Sequence, residues 1–224
     1  MSRLAFGFLL LTLLLGLKPV TTSAQLPLSL ELRLQGGSTR LEIEGFVDGV
    51  AGARETSTGA TAGVGVGLRF PGGLVVGVSY QRVFGSVSTG NTVLPTLTWG
   101  FDANEVAVFL EAHRSLVPHS PLEPSLGAGV AVGRLSLDDE LRLGAGVPGL
   151  KLKGTTTTVR LYGLGALRLA GRLGVQISGG YSFGTIGADD LKHGIVLTDQ
   201  SNRVLTFAAS VEGFFAGASL SIGL

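Results

Sequence analysis

Cysteine is missing from all 224 residues. No disulfide framework and no thiolate metal site can be built from such a chain. Charge is scarce: Asp, Glu, Lys and Arg make up 15% of the residues, against roughly 25% in an ordinary soluble domain. Neither sign dominates, with 17 Lys and Arg against 16 Asp and Glu. The basic surplus or stripe of a nucleic-acid binder is therefore lacking, and nucleic acid is not an expected partner. Beyond residue 24 no apolar run approaches the ~20 residues that a spanning helix needs. Yet the mean hydropathy is +0.44. A chain this apolar without a helical span either encloses a large soluble core or meets lipid through strands. The 36 glycines, with helix formers sparse and scattered, favour strands. The length suits one domain.

The first 24 residues read as a cleaved signal peptide rather than structure. Arg3 supplies the positive start, Leu4–Leu17 the apolar stretch, and Thr22-Ser23-Ala24 the small residues at a cleavage site. The mature domain is then expected to span 25–224. An uncleaved anchor is the rival reading, against which Lys18 and Pro19 argue.

From there, alternation with period two dominates. Leu28, Leu30, Leu32 and Leu34 share one face, and Ser29, Glu31, Arg33 and Gln35 the other. Ala60 to Phe70 alternates with Thr61, Gly63, Gly65, Gly67 and Arg69; Pro71-Gly72-Gly73 turns the chain; Leu74, Val76, Val78 and Tyr80 follow. Val106 to Ala112 opposes Glu105, Ala107, Phe109, Glu111 and His113. Further strands are expected over 125–133, about 155–169, 173–183 and 204–224. The stretches 48–59, 86–104, 138–154 and 185–202 read as loops.

Soluble sandwiches also alternate, and one is the competing fold. Three features favour a membrane barrel. The strands run roughly 9–15 residues, where soluble strands average about 5–6 and tilted membrane strands need ~9–11. Short turns (71–73, 117–121, 170–172) alternate strictly with long connections, the sidedness of outer-membrane barrels with periplasmic turns and extracellular loops. One face is Leu, Val, Ile and Ala with aromatics near strand ends (Phe70, Phe84, Phe183); the other is Gly, Ser, Thr and isolated charges. An open edge is forbidden in lipid, so the sheet must close. The expected fold class is all-β, a single closed antiparallel transmembrane β-barrel of eight strands, with ten as the alternative. The ambiguity comes from two reversals of the apolar phase, at Gly36-Gly37 and near Gly213-Phe214-Phe215. Each reads as a tight turn or as a bulge within one long strand. Bulges are preferred because ten strands would put the long loops in the periplasm. Setting Leu28 opposite Leu224 brings Gly37 opposite Phe215, so both irregularities would meet at the closing seam.

In this pattern the mature chain resembles the small bacterial outer-membrane β-barrel families, the OmpA/OmpX/OmpW type. The likeness rests on pattern over the whole mature chain. It implies residence in the bacterial outer membrane, with outer-membrane lipid and the outer-membrane assembly machinery as partners. Members of these families usually end in an aromatic residue; Leu224 stands there instead, after Leu220 and Ile222. The function expected is that of an integral barrel with a structural role, or one that binds an extracellular ligand at its long loops. A narrow, porin-like pore for passive uptake of a small solute is the alternative, and an outer-membrane lipid hydrolase a remote one. No cofactor or metal is expected.

Nine charges fall on the polar face: Glu31, Arg33, Arg69, Glu105, Glu111, Glu123, Arg160, Arg168 and Glu212. An eight-stranded barrel is just wide enough for its side chains to fill. These residues therefore read as an internal salt-bridge and hydrogen-bond network, in which buried charges must pair. The inward glycines either leave space for a pore or make room for long side chains from across the lumen. His113 and Ser115 lie two apart, beside Glu111, and loosely resemble the His-x-Ser arrangement of outer-membrane lipid A deacylases. No oxyanion-hole donors accompany them, and an ordinary strand end outweighs that reading. Asp138-Asp139-Glu140 and Asp189-Asp190 are read as solvated acidic clusters before cation sites.

Overall fold

In a computed structural model the described residues are 29–47, 50–89, 97–117, 122–142, 150–169, 173–187, 192–193, 197–198 and 204–223. Residues 1–28, which include the segment 1–24 expected above to be a signal peptide, lie outside them. Among the described residues twelve strands are formed: β1 (Ser29–Val47), β2 (Val50–Arg69), β3 (Leu74–Thr89), β4 (Leu97–Ser115), β5 (Leu122–Arg142), β6 (Leu150–Leu169), β7 (Leu173–Phe183), β8 (Thr185–Ile186), β9 (Lys192–His193), β10 (Leu197–Thr198), β11 (Val204–Ser210) and β12 (Gly213–Gly223). Eight of them close a ring, in the order β1-β12-β7-β6-β5-β4-β3-β2 and back to β1, with every neighbour antiparallel. Alternation forces the closure: each strand carries an apolar outer face, and only a ring leaves no unpaired edge in lipid.

The register fixes the geometry. Ser29 pairs with Arg69, and the ladder continues through Val75, Glu111, Gly129, Tyr162, Gly180 and Phe215 to Thr39. One circuit thus returns to β1 ten residues further on, from Ser29 to Thr39. With 3.3 Å per residue and 4.8 Å between strands, that stagger tilts the strands by about 40°. At the turn end of the barrel, below Arg69 and Val75, the chain passes from β2 to β3 through 71–73, where Gly72 and Gly73 have φ of 86° and 88°, values costly for any residue with a Cβ. Val64, Val66, Val78, Val106, Leu126, Ile177 and Leu220 point outward and are 40% or more exposed. They form the apolar belt, rimmed at its far side by Tyr80, Phe84 and Phe214.

Inward residues form layers. Nearest the turns, charged side chains fill the lumen. Val75, Ala107, Phe109 and Ala131 come next, packed with Tyr162. A second polar group surrounds Glu105, and above it Leu41, Ile43, Val83, Phe101, Leu135, Leu137, Ile186 and Phe207 form the largest apolar core.

These layers explain the two phase reversals. The β1–β2 ladder runs without a break from Ser29 to Glu44, so Gly36-Gly37 is neither turn nor bulge. Odd-numbered residues of β1 point inward throughout, from Glu31 and Arg33 to Leu41 and Ile43. The lining changes from polar to apolar while the strand stays regular. At the other site a real irregularity exists: β11 meets β1 at Ser210–Glu42 and β12 meets it at Phe215–Thr39, so two extra residues are inserted. A slip of two preserves the faces, and Phe207, Ala209, Val211 and Phe215 all point inward. The seam is therefore shifted from the expected pairing: Gly37 faces Gly217, not Phe215. The expected loops 48–59, 86–104 and 138–154 are mostly strand, because β1 to β6 run 16–21 residues and rise past the belt. Their polar outer faces meet water rather than lipid, which gave them the look of loops.

Candidate functional site

Two carboxylates organise the lower lumen. Glu111 on β4 is 2% exposed and Glu31 on β1 is 1% exposed. Arg33 grips Glu111 with both terminal nitrogens, at 2.9 Å each. This fork geometry is the strongest ion-pair form available to a carboxylate. Tyr162 Oη and Gln176 Nε2 donate to Glu111 Oε1 at 3.1 and 3.2 Å. His113 Nε2 lies 3.0 Å from Glu111 Oε2. Glu31 takes Arg33 at 3.1 Å, Arg69 Nε at 2.6 Å and Arg168. Arg33 is thus shared between the two carboxylates, with Phe109 stacked 4.8 Å from its guanidinium carbon.

The second group is smaller. Glu105, 2% exposed, receives Gln81 Nε2 at 2.6 Å, the Thr158 hydroxyl and Arg160. Arg160 sits over the Phe215 ring. The inward glycines make room for these contacts. A Cβ at Gly129 would lie 2.5 Å from the Tyr162 ring, and one at Gly133 would lie 2.8 Å from Glu105 Oε1. An internal cavity of about 90 Å³ separates the groups beside Arg33, Arg160 and Tyr162.

Of the nine charges singled out from sequence, seven come together: Glu31, Arg33, Arg69, Glu111 and Arg168 in one group, Glu105 and Arg160 in the other. Two do not. Glu123 is exposed at the turn end of β5, and Glu212 lies in the break between β11 and β12, its N–H donating to Ser210 Oγ at 2.9 Å. Gln81, Thr158, Tyr162 and Gln176 were not anticipated. They share the inward face, and only attention to neutral polar side chains on that face would have found them. His113 is a network member rather than half of a catalytic pair. Its Nε2 is held by Glu111 and its Nδ1 has no hydrogen-bond partner, so the exposed Ser115 is not bonded to it. Among the described residues no group of three or more His, Asp or Glu has metal-binding geometry. The side chains of Asp138-Asp139-Glu140 and the segment Asp189-Asp190 lie outside the description.

On the outer wall, Arg82 bonds Asp102, with Nε at 2.7 Å from Oδ1. It points outward at the rim of the belt, where its charged end reaches the interface.

No protein-family model matches the chain, and no curated protein matches its sequence. Solved structures do match. The outer membrane protein OprG of Pseudomonas aeruginosa is 12% identical, covers 87% of this chain and 95% of its own, and superposes with a TM-score of 0.54. Neisserial surface protein A is 16% identical over 85% of this chain and 96% of its own, with a TM-score of 0.38. The Yersinia pestis attachment invasion locus protein Ail, solved with a heparin analogue, is 13% identical over 86% of this chain and 99% of its own, with a TM-score of 0.32. OprG shares the fold. This chain is a small outer-membrane β-barrel: eight antiparallel strands close on one another and present an apolar belt to lipid.

Proposed function

We propose that this barrel works at its extracellular end, in a structural or binding role, and does not conduct. The observation that carries this reading is a lumen filled twice over. Buried ion pairs occupy the turn end, and the core around Leu41, Phe101 and Leu135 fills the other. Opening a path would strip Arg33 or Arg69 of a carboxylate inside a membrane, and a charge so orphaned is costly. The long strands, meanwhile, carry described backbone well past the belt, where a partner in the medium can reach it. Refolded protein in a planar bilayer is the test. A current indistinguishable from bare lipid is expected; discrete steps overturn the reading.

The cavity beside Arg33 and Arg160 favours the second reading, passive passage of a small solute. It then predicts steps that grow when Arg33→Ala and Glu111→Ala are combined and Leu41→Ala is added.

A further inference from the structure

The cavity between the two charge groups has polar walls, although it lies at the height of the apolar belt. Ser79 borders it, and the next residue, Val78, faces lipid on the other side of the same strand. Gly217 borders it too and pairs with Gly37 across the β1–β12 seam, so neither strand sends a side chain inward there. Free volume of about 90 Å³ remains. One water takes up about 10–15 Å³ of such volume, so an ion fits together with several waters.

The lining holds donors that the rest of the protein leaves unused. Arg160 gives one terminal nitrogen to Glu105 and sits over the Phe215 ring. Its other nitrogens have no partner among the described residues, and 15% of its side chain stays open. Gln35, Ser79, Ser178 and Ser219 also border the cavity, and none makes a side-chain hydrogen bond among the described residues. Buried polar groups are seldom left without a partner.

The acceptors, in contrast, are taken. Glu111 is the one carboxylate among the described lining residues, and Arg33, His113, Tyr162 and Gln176 already converge on it. Nor do the charges cancel. The seven that the lumen gathers are four Arg and three Glu. Glu123, exposed at the turn end, cannot make up the difference at Arg160. Arg160 pairs with Ala131, and Glu123 is eight residues further down β5, about 26 Å along the strand. A surplus cation in a lumen of low dielectric calls for a counter-charge. Spare donors, no spare acceptor and one positive charge in excess match one ligand chemistry, a small anion.

We propose that this cavity is a binding site for a small monovalent anion of the size and charge of chloride. Arg160 and the hydroxyls of Ser79, Ser178 and Ser219 hold it. Placed between the ion pairs below and the apolar core above, it serves as a fixed counter-charge within the lumen. Such an ion sits there whether or not the barrel conducts, and whichever end of it works.

The test uses the full chain refolded in detergent micelles, with the midpoint of thermal unfolding read from the folded and unfolded gel bands. Sodium chloride is exchanged for sodium gluconate, whose anion is too large for the cavity, at constant ionic strength. The midpoint is expected to rise by several degrees in chloride and to climb with the logarithm of its concentration, because a ligand of the folded state alone stabilises it by mass action. Ser79→Leu fills the cavity and is expected to erase that rise. Glu105→Gln combined with Arg160→Gln removes the pair together, orphans neither partner, and is expected to erase it too. Crystals soaked in bromide are expected to show anomalous scattering beside Arg160. Equal midpoints in the two salts overturn the site, and a cavity that holds water alone gives that result. A chloride effect that survives in either folded variant, or bromide bound only elsewhere or not at all, also overturns it. If neither variant folds, the bromide position decides. A silent bilayer with equal midpoints removes only this inference. Current steps from a barrel that holds bromide at Arg160 remove only the earlier reading.

Discussion

Glu111 holds together more of the lumen than any other single side chain described, because Arg33, His113, Tyr162 and Gln176 all converge on it. Glu111→Ala leaves Arg33 half-paired in a buried site, at a cost of about 3–5 kcal/mol. Tyr162→Phe removes one donor to a charged acceptor and costs about 1.5–3 kcal/mol at most. The temperature at which the folded band on an SDS gel converts to the unfolded one reads both. Glu111→Ala is expected to lower it more, and the reverse order would show that the carboxylate is not the hub. Leu41→Ala opens a hole in the upper core and is expected to cost about 2–5 kcal/mol by the same assay. The charged members of this network were legible from period two alone, since each falls on one parity of its strand. Their partners were not. Glu111 and Arg33 are 78 residues apart in sequence, and only the stagger of the ring brings them together.

The break between β11 and β12 inserts two residues opposite β1, with Gly213 at a φ of 144°. The count of two matters because side chains alternate with period two. Deleting Val211 and Glu212 together keeps Phe207 and Ala209 facing inward, and a folded, heat-modifiable barrel is expected. Deleting Val211 alone turns Phe207 and Ala209 toward the outside and lines the upper lumen with the alternate set, and loss of the folded band is expected. Equal folding of the two variants would refute the register. Sequence located this irregularity but also suggested a false one at Gly36-Gly37. Both look alike in one dimension, since at each the inner lining changes between polar and apolar and the apolar phase reverses. Whether an irregularity accompanies the reversal depends on the neighbouring ladder: β1 slips by two residues against β11 and β12, a step that keeps the faces, and does not slip against β2 at Gly36-Gly37.

The whole barrel presents two different solvents to one continuous wall. Val78, 53% exposed in the middle of the belt, faces lipid; Thr58, above the belt, faces water. Val78→Arg is expected to destabilise by about 2–4 kcal/mol and Thr58→Arg by about 0–1 kcal/mol, the depth dependence of charge on a lipid-facing wall. Urea unfolding in vesicles measures both, and similar losses at the two positions would contradict this placement of the belt. The same division of solvent explains why the long upper strands read as loops. Their outer faces are polar, as loops are, although their backbones are paired.

Period-two alternation, scarce charge and the spacing of the turns pointed to a membrane barrel, favoured eight strands over ten, and put on the inner face the seven charges that the structure gathers there. Each is a local property: a residue's face follows from its parity, and a closed sheet follows from the need to pair every backbone group in lipid. Which charges meet and how far the strands rise past the membrane were decided only by the closed ring. Those depend on a ten-residue stagger accumulated over eight ladders, and no single strand carries that information.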